Sequence, residues 1–359
     1  MGRYLVYYDS GTTNSRGYLL VREGQTLTPV RDRLGVLVSA SRRVGSKDAA
    51  AAGDNRVLLS ALWEIYGELL RKIPHTKEDG SAQTADSQVE GIYASGMITC
   101  PSGLKEIPHL PAPVGLAQLR EGMTPVREPV YFGRDIVLIP GIRTAKILPL
   151  SLQEAAAAGN MRGEELEIFG LLSSPGIPAQ WRERPMAVAL PGSHTHIAYL
   201  EGGQVADIFS TFSGELYHAV TSQTILSSLN ALNPGRRPQH LPLLPDMVWD
   251  GYTQLEEWGF SRALYIARSY QLFTREGGDA PQIFSYLEGV INGGVVQGYL
   301  RWLQKRGYAP RALLLAGRSR MSEVLRILLI RAAPEQFVAA PDHPLPLALA
   351  GFLRLMEGR

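Results

Sequence analysis

The chain has a single cysteine, Cys100, among 359 residues. One thiol excludes an internal disulfide framework and suits a reducing compartment. No apolar run is long enough to span a bilayer, and no charged n-region followed by an apolar stretch opens the chain. A cytoplasmic protein with no membrane partner is therefore expected. Charge of one sign is also lacking: 36 Lys and Arg against 34 Asp and Glu leave a formal net charge of +2. No basic stripe is interleaved with aromatics, so nucleic acid is not an expected partner. Cys/His clusters at metal-ligand spacing are absent. So are G-x-x-x-x-G-K-[ST] and a G-x-G-x-x-G that opens a helix, which removes the P-loop and Rossmann readings. The rest of the composition is that of a soluble globular protein, and its length exceeds most single cores, so two domains are expected.

The most informative stretch is YDSGTTNSR, Tyr8 to Arg16. It follows the apolar run Tyr4–Tyr8 and leads into a second run, Gly17–Val21, which spells strand, tight turn, strand. Gly11 gives the turn its backbone freedom, and the small hydroxyl residues leave N–H groups open to an anion. Asp9 at the strand end could hold a hydrated Mg2+. Alone, this is an ordinary polar hairpin. A second one, PGSHTHIAYLEGG (Pro191–Gly203), changes the weight of the first. Two such turns, each heading an α/β half-chain, can clasp the β- and γ-phosphates of one nucleotide from both sides. Phosphoryl transfer needs mainly positioning and charge neutralisation, which such turns and one Mg2+-directed carboxylate supply.

Between and after the hairpins the pattern is coarse but legible. Lys47–Lys72 has Leu58, Leu59, Leu62, Ile65, Tyr66 and Leu69 at helical spacing, and Pro74–Gln88 is a polar surface loop. Val89–Ala94 is a buried strand ending in SGMITCPSGL (Ser95–Leu104), a loop at a strand's C-terminal end where open α/β sheets bind ligands. Ile136–Pro140 is another short strand. Leu152–Gly170 reads as one helix carrying MRGEELEIFG (Met161–Gly170), and Pro175–Arg184 is a linker. Met186–Leu190 and Val205–Thr211 are strands. Gly214–Asn230, Tyr252–Phe273 and Ala280–Arg306 are helices. The strand Ala312–Ala316 precedes LAGRSRM (Leu315–Met321), and a last helix covers about Leu345–Met356.

Taken in order, YDSGTTNSR, SGMITCPSGL, IPGI (Ile139–Ile142), MRGEE (Met161–Glu165) and LPGSHTHIAYLEGGQVADIFSTFSGEL (Leu190–Leu216) resemble the 2-dehydro-3-deoxygalactonokinases. These are sugar-acid kinases of the actin-like ATPase fold. EEWGFSRALYIARSYQLF (Glu256–Phe273), LEGVINGG (Leu287–Gly294) and LAGRSRM match more weakly, so the likeness covers nearly the whole chain. It implies a two-domain α/β, ribonuclease H-like sugar kinase fold, 1–180 and 181–359, with a nucleotide cleft between the domains and a last helix that could cross back onto the first. It also implies ATP and Mg2+ as cofactors and a small 2-keto-3-deoxy sugar acid as substrate. Several positions depart from the family pattern. Its usual Lys in the second hairpin is His196, and the following Trp is Ile197. Gly-Trp becomes Gly103-Leu104, Gly-Ala-Glu becomes Gly293-Gly294-Val295, Gly-Thr becomes Gly317-Arg318, and Ala-Gly-Asp becomes Ala340-Pro341-Asp342.

Carried onto this sequence, the resemblance gives the phosphates Gly11, Thr12, Thr13, Asn14 and Arg16 on one side. Gly192, Ser193, His194, Thr195 and His196 serve them on the other, with Gly317 near adenosine. Asp9 directs Mg2+ or is a plain turn residue. Glu164 or Glu165 takes the proton of the substrate hydroxyl, or the pair is a solvated helix face; adjacent helical residues point about 100° apart, so one at most faces the site squarely. Arg162 holds the substrate carboxylate or pairs with an acid on its helix. Ser95, Gly96 and Met97 line the substrate. Glu215 reaches the sugar acid or complements a helix dipole. His194 and His196 stand two apart, with a hydrogen-bonded hairpin pair weighed against a metal site that has no third ligand. If His196 faces the phosphates, its charge is partial and pH-dependent. Cys100 is a packed thiol. Three readings stay open: the sugar-acid kinase, a diverged non-catalytic sensor of sugar acids or nucleotides, and a kinase for another sugar. A homodimer is compatible with all three.

Overall fold

The computed structural model describes residues 3–73, 85–182, 184–232, 240–273 and 279–357. The chain forms two compact units, residues 1–177 with 343–359, and residues 178–342.

In the first unit β1 (Arg3–Ser10) and β2 (Ser15–Glu23) pair antiparallel from Arg3↔Arg22 to Ser10↔Ser15. β1 is apolar on both faces because both are covered, and Leu5, Val6, Tyr7 and Tyr8 are fully buried. β3 (Thr26–Pro29) and β4 (Ser39–Arg42) extend the sheet from β2. After α1 (Ser46–Ala52) and α2 (Arg56–Leu70), β5 (Val89–Gly96) returns parallel to β1. β6 (Leu110–Pro111) and α3 (Leu116–Glu121) lead to β7 (Thr124–Glu128) and β8 (Arg134–Leu138), and β8 lies parallel to β5. The order is β3-β2-β1-β5-β8-β7. β9 (Ile142–Arg143) and β10 (Asn160–Met161) join β6 in a small separate sheet; α4 (Leu152–Ala155) precedes β10 and α5 (Glu164–Leu172) follows it.

The stripe Leu58, Leu62, Ile65 and Leu69 of α2 packs with Val6, Tyr8 and Leu19 in one core. A methyl group on Gly17 would lie 2.5 Å from Ile65 Cγ2, so that glycine sets how closely α2 meets β2. The opposite face of β1 carries Tyr7, stacked on Phe352 of the C-terminal helix (Leu347–Met356) with ring centroids 4.3 Å apart. That helix crosses α5 at two glycines. A methyl on Gly170 would sit 2.0 Å from Leu347 O, and one on Gly351 1.8 Å from Leu166 O. Backbone-to-backbone contact thus anchors α5 against the sheet.

Two helices expected from periodicity are divided. Lys47–Lys72 is α1 and α2, separated where Gly53 takes a left-handed φ of 63° and ends α1. Leu152–Gly170 is α4, β10 and α5. Met161 pairs with Ile142 in β9, and Gly163 at φ 114° can follow neither strand nor helix. Apolar spacing shows none of this, because helix and strand both bury one residue in two to four. Of the loop expected over Pro74–Gln88, positions 74–84 lie outside the described residues.

The second unit opens with β11 (Met186–Leu190), β12 (Thr195–Glu201) and β13 (Gln204–Thr211), an antiparallel meander followed by α6 (Ser213–Gln223). α7 (Pro245–Trp258) and α8 (Phe260–Phe273) replace the single helix expected over Tyr252–Phe273, the break falling at Gly259 with φ 75°. α9 (Ala280–Arg306) begins at a capping box in which Asp279 accepts from Gln282 N at 2.9 Å, and ends at left-handed Gly307. β14 (Ala312–Leu315), α10 (Arg320–Ala332) and β15 (Phe337–Ala339) complete the unit, with β14 parallel to β11 and β15 parallel to β14. The core joins Ala187, Ala189 and Ile197 to Val248, Val295, Tyr299 and Leu328. Here too glycines set a helix crossing: methyls on Gly251 and Gly289 would meet Tyr286 O at 2.2 Å and Val248 O at 2.0 Å.

The strand order β13-β12-β11-β14-β15 repeats β3-β2-β1-β5-β8. Each unit is a three-strand meander whose first strand is flanked by two further parallel strands. This ribonuclease H-like arrangement occurs twice, and in each copy the first hairpin turn lies at the C-terminal end of the parallel strands, where such sheets bind ligands.

Candidate active site

The first hairpin turn is closed by Gly11 N–H donating to Asn14 O at 2.8 Å. It is seated on the start of α1, where Ser46 N donates to Gly11 O at 3.3 Å and Lys47 N to Thr12 O at 3.0 Å. A side chain at Gly45 is excluded, since its first carbon would lie 2.3 Å from Thr12 O. Thr13, Asn14 and Arg16 are exposed around the turn. Asp9 faces Arg16 across the ladder, with Arg16 Nη1 3.8 Å from Asp9 Oδ2 and the Asp9 side chain 20% exposed. Burial raises the Asp9 pKa, the charge of Glu164 adds to the rise, and Arg16 opposes it.

Glycines bring the MRGEE segment to this strand end. Gly96 closes β5 at φ 84°, where a methyl would lie 2.3 Å from Ser10 O of β1. Gly163 packs on Gly96 in turn, a methyl on it falling 3.1 Å from Gly96 Cα. Segments 9–11, 95–97 and 162–165 are therefore stacked. Glu164 and Glu165 occupy the first turn of α5, where the helix dipole favours negative charge. Glu164 Oε2 accepts from Arg162 N at 3.0 Å, and Glu165 Oε2 from Gly163 N at 2.7 Å. Glu164 is half-buried. Glu165 is 0% exposed, its Oε1 has no hydrogen-bond partner, and burial first, then Glu164, pushes its pKa up to about 8. Glu167, one turn along α5, is likewise pushed up to about 8 by burial, then by Asp9 and Glu164.

Three substrate expectations change. Arg162 stands in the turn before α5 and not within a helix, and its guanidinium staples the loop that follows β5. It donates to Thr99 O, to Thr99 Oγ1 at 2.6 Å, to Ile107 O at 3.1 Å, and meets His109 Nδ1 at 3.1 Å. These bonds tie the guanidinium of the half-buried Arg162 to that loop. The Ser95 side chain is buried with Oγ 2.8 Å from Tyr7 OH, so it braces β5 against β1. Gly96 contributes close backbone packing, which leaves half-buried Met97 as the side chain of this trio with exposed surface.

In the second unit the turn of Pro191, Gly192, Ser193 and His194 is seated on the start of α6. Glu215 N donates to Ser193 O at 2.9 Å, and a methyl on Gly214 would lie 2.4 Å from Gly192 O. Thr195 Oγ1 meets Ser213 Oγ at 2.5 Å. His194 Nε2 lies 3.5 Å from Glu215 Oε1, an ion pair when the ring is protonated, and its ring packs edge-on against Phe212 at 4.7 Å. His196 does not present a pH-dependent charge. It is 6% exposed, its Nδ1 lies 2.9 Å from Ser210 Oγ on β13, and burial together with His194 lowers its pKa to about 4. The ring is neutral throughout pH 6–8. Gly317, at φ 72° after β14, lines a cavity of about 370 Å³ with Arg318, Ser319, Arg326 and Ala340. Arg318 lies 2.5 Å from Asp342.

Sequence reading missed Glu167 and the two helix starts that hold the turns. Glu167 stands three residues beyond Glu164 and so on its face, a signal available from spacing alone. Gly45 and Gly214 carried no such signal, because a glycine demanded by close approach looks like any loop glycine.

The description of the 2-keto-3-deoxy-galactonokinase family fits residues 9–343 of this chain. A Rhizobium meliloti protein named "Probable 2-dehydro-3-deoxygalactonokinase" is 30% identical over 156 residues, 43% of this chain and 45% of its own length, so the chain matches less than half of that relative. The crystal structure of a protein assigned as a 2-dehydro-3-deoxygalactonokinase from Sinorhizobium meliloti superposes with a TM-score of 0.68 at 20% identity, covering 98% of each chain, which shows a shared fold. The α/β fold expected from the sequence is therefore observed, and it is the fold shared with that crystal structure. The chain belongs to the 2-keto-3-deoxy-galactonokinase family.

Proposed function

We propose that the protein is an ATP-dependent kinase that phosphorylates a hydroxyl of a small sugar acid, 2-dehydro-3-deoxy-D-galactonate or a close relative, in galactonate degradation in the cytoplasm. The observation that carries this reading is the close packing of Ser10, Gly96 and Gly163, which brings the MRGEE turn to the strand end that carries Asp9, near enough for the charge of Glu164 to raise the Asp9 pKa. Glu164 is the half-buried member of its pair and accepts the proton of the attacking hydroxyl. That oxygen then bonds to the γ-phosphorus while the bond to the ADP oxygen breaks. ATP supplies the phosphoryl group, and both seated turns offer backbone and hydroxyl donors suited to its phosphates. Mg2+ fits the donor set at Asp9: it keeps most of its waters and asks for one or two carboxylates, and among the described residues no group of three acidic, His or Cys side chains stands ready to cage an ion. Asp9 would hold it through water, with the charge neutralisation it brings to the phosphates.

A non-catalytic sensor is the second reading, favoured by the neutral, buried His196 and by Arg318, tied to Asp342. An ADP-release screen over 2-keto-3-deoxy acids and aldoses separates the readings. Turnover with the acids is expected. Turnover with aldoses alone would make it a kinase of another sugar, and nucleotide binding without turnover on any of them would favour the sensor.

A further inference from the structure

We infer that Glu165 is a positioning residue for phosphoryl transfer, its carboxyl fixing the turn at Gly163 and with it the direction of Glu164. The inference rests on the kinase reading above. Glu165 cannot meet substrate as it stands, because it is 0% exposed and its free oxygen, Oε1, is closed off from solvent. What it does touch is the turn: Oε2 accepts the Gly163 N–H at 2.7 Å, and Gly163 holds the strained φ of 114° that packs it on Gly96. Released from that bond, the turn would lose the contact that joins α5 to the end of β5. The next residue, Glu164, is the one whose charge reaches Asp9.

The groups facing Glu165 explain why it can act as an uncharged brace. Glu164 on its own helix repels a second charge, and Tyr7 from β1 brings a hydroxyl that is itself un-ionised. Arg162 is the nearby cation, but its guanidinium is bonded to Thr99, Ile107 and His109, beyond which lie Cys100 and Glu106. The acid is therefore neutral at pH 7 and ionises as pH rises through about 8. Ionisation puts a second negative charge beside Glu164, and a loss of kcat follows.

Glu164→Gln, Glu165→Gln and Glu165→Asp, assayed by direct ADP detection from pH 6 to about 9.5, test this. Glu165→Gln keeps an oxygen for the Gly163 N–H and cannot ionise. It should lower kcat only about three- to tenfold at pH 7, and the decline that wild type shows near pH 8 should be absent. Glu165→Asp is too short to hold the turn and should lower kcat at unchanged KM. Glu164→Gln should lower kcat by roughly 10²–10⁴, the scale of a removed general base. If Glu165→Gln falls as far as Glu164→Gln, Glu165 is itself the base; the positioning role is then overturned while the kinase reading stands. Near-normal rates in both would instead remove the base from this turn and sink the mechanism above. Should the Gln variant fail to fold, the wild-type profile decides: a flat kcat to about pH 9.5 overturns the inference.

Discussion

The β1–β2 and β11–β12 hairpins share one construction and carry different chemistry. Each turn has four residues between its strands, and each is seated on the start of a helix through a backbone N–H, from Lys47 to Thr12 O and from Glu215 to Ser193 O. Each seat also contains a glycine whose methyl would strike the turn, Gly45 in one and Gly214 in the other. The ladder positions then diverge. Asp9 opposite Arg16 in the first hairpin corresponds in place to Ala189 opposite Ile197 in the second. At these two ladder positions charge stands in the first hairpin only, whereas beside its turn the second offers hydroxyls, a part-exposed imidazole and a buried one. A repeated fold has kept the seated turn in both units and a carboxylate at this ladder position in one.

The sharpest way to break this comparison is to remove the charge that distinguishes the hairpins. Asp9→Asn should lower Mg2+-dependent kcat by about 10² or more, since a metal-directed charge is worth several kcal/mol in the transition state. Stability should move the other way. The folded pKa of Asp9 lies above its unfolded value, so its stabilising effect is complete below about pH 4 and is lost as pH rises. The Asn variant should therefore melt slightly higher than wild type at pH 7 and no higher at pH 3.5. Equal turnover in both proteins would reduce Asp9 to a turn residue.

Both hairpins and the alternation of strands with helices were legible because turn chemistry and burial period are local, whereas MRGEE, read inside a helix, is a strand end, a turn and a helix start. β11 and α9 coincide with the expected Met186–Leu190 and Ala280–Arg306. Breaks at Gly53, Gly163 and Gly259 were not legible, since a glycine inside an apolar pattern does not announce a positive φ. The orientation of Arg162 was hidden for a different reason: its partners Thr99, Ile107 and His109 lie more than fifty residues away. Asp207 is another case, its carboxylate held by Arg306 at 3.0 Å and Tyr308 at 3.2 Å from about a hundred residues away. Long-range bonds of this kind have no periodic signature.

The shared seat predicts parallel effects of a smaller size. Gly45→Ala and Gly214→Ala each force a carbon into a turn carbonyl, and overpacking of this kind costs typically about 1–3 kcal/mol. Denaturant unfolding should show that loss in both, with weaker nucleotide binding by calorimetry. Gly294→Ala is the control, because nothing lies within 4 Å of its added carbon. A loss in only one of the two seats would mean that the hairpins are alike in trace but not in load.

The smallest effect concerns His196, where the second hairpin turns a polar side chain inward. Its folded pKa of about 4 lies below the ordinary histidine value. The stabilising effect of the neutral ring is therefore present above about pH 6.5 and is lost as pH falls toward 4. The shift corresponds to an upper bound of about 3 kcal/mol, and relaxation around the charged ring should reduce what is measured to about 1–2 kcal/mol. His196→Asn removes the titration and can retain a hydrogen bond to Ser210. Unfolding free energies of wild type and variant should diverge in slope between pH 6.5 and 4.5 and run parallel between pH 7 and 8. Nucleotide affinity should show no His196-dependent change between pH 6 and 8, since the ring is uncharged across that range. A variant that flattens a pH dependence of nucleotide binding would place the imidazole among the phosphates and give the turn of the second hairpin a positive charge of its own.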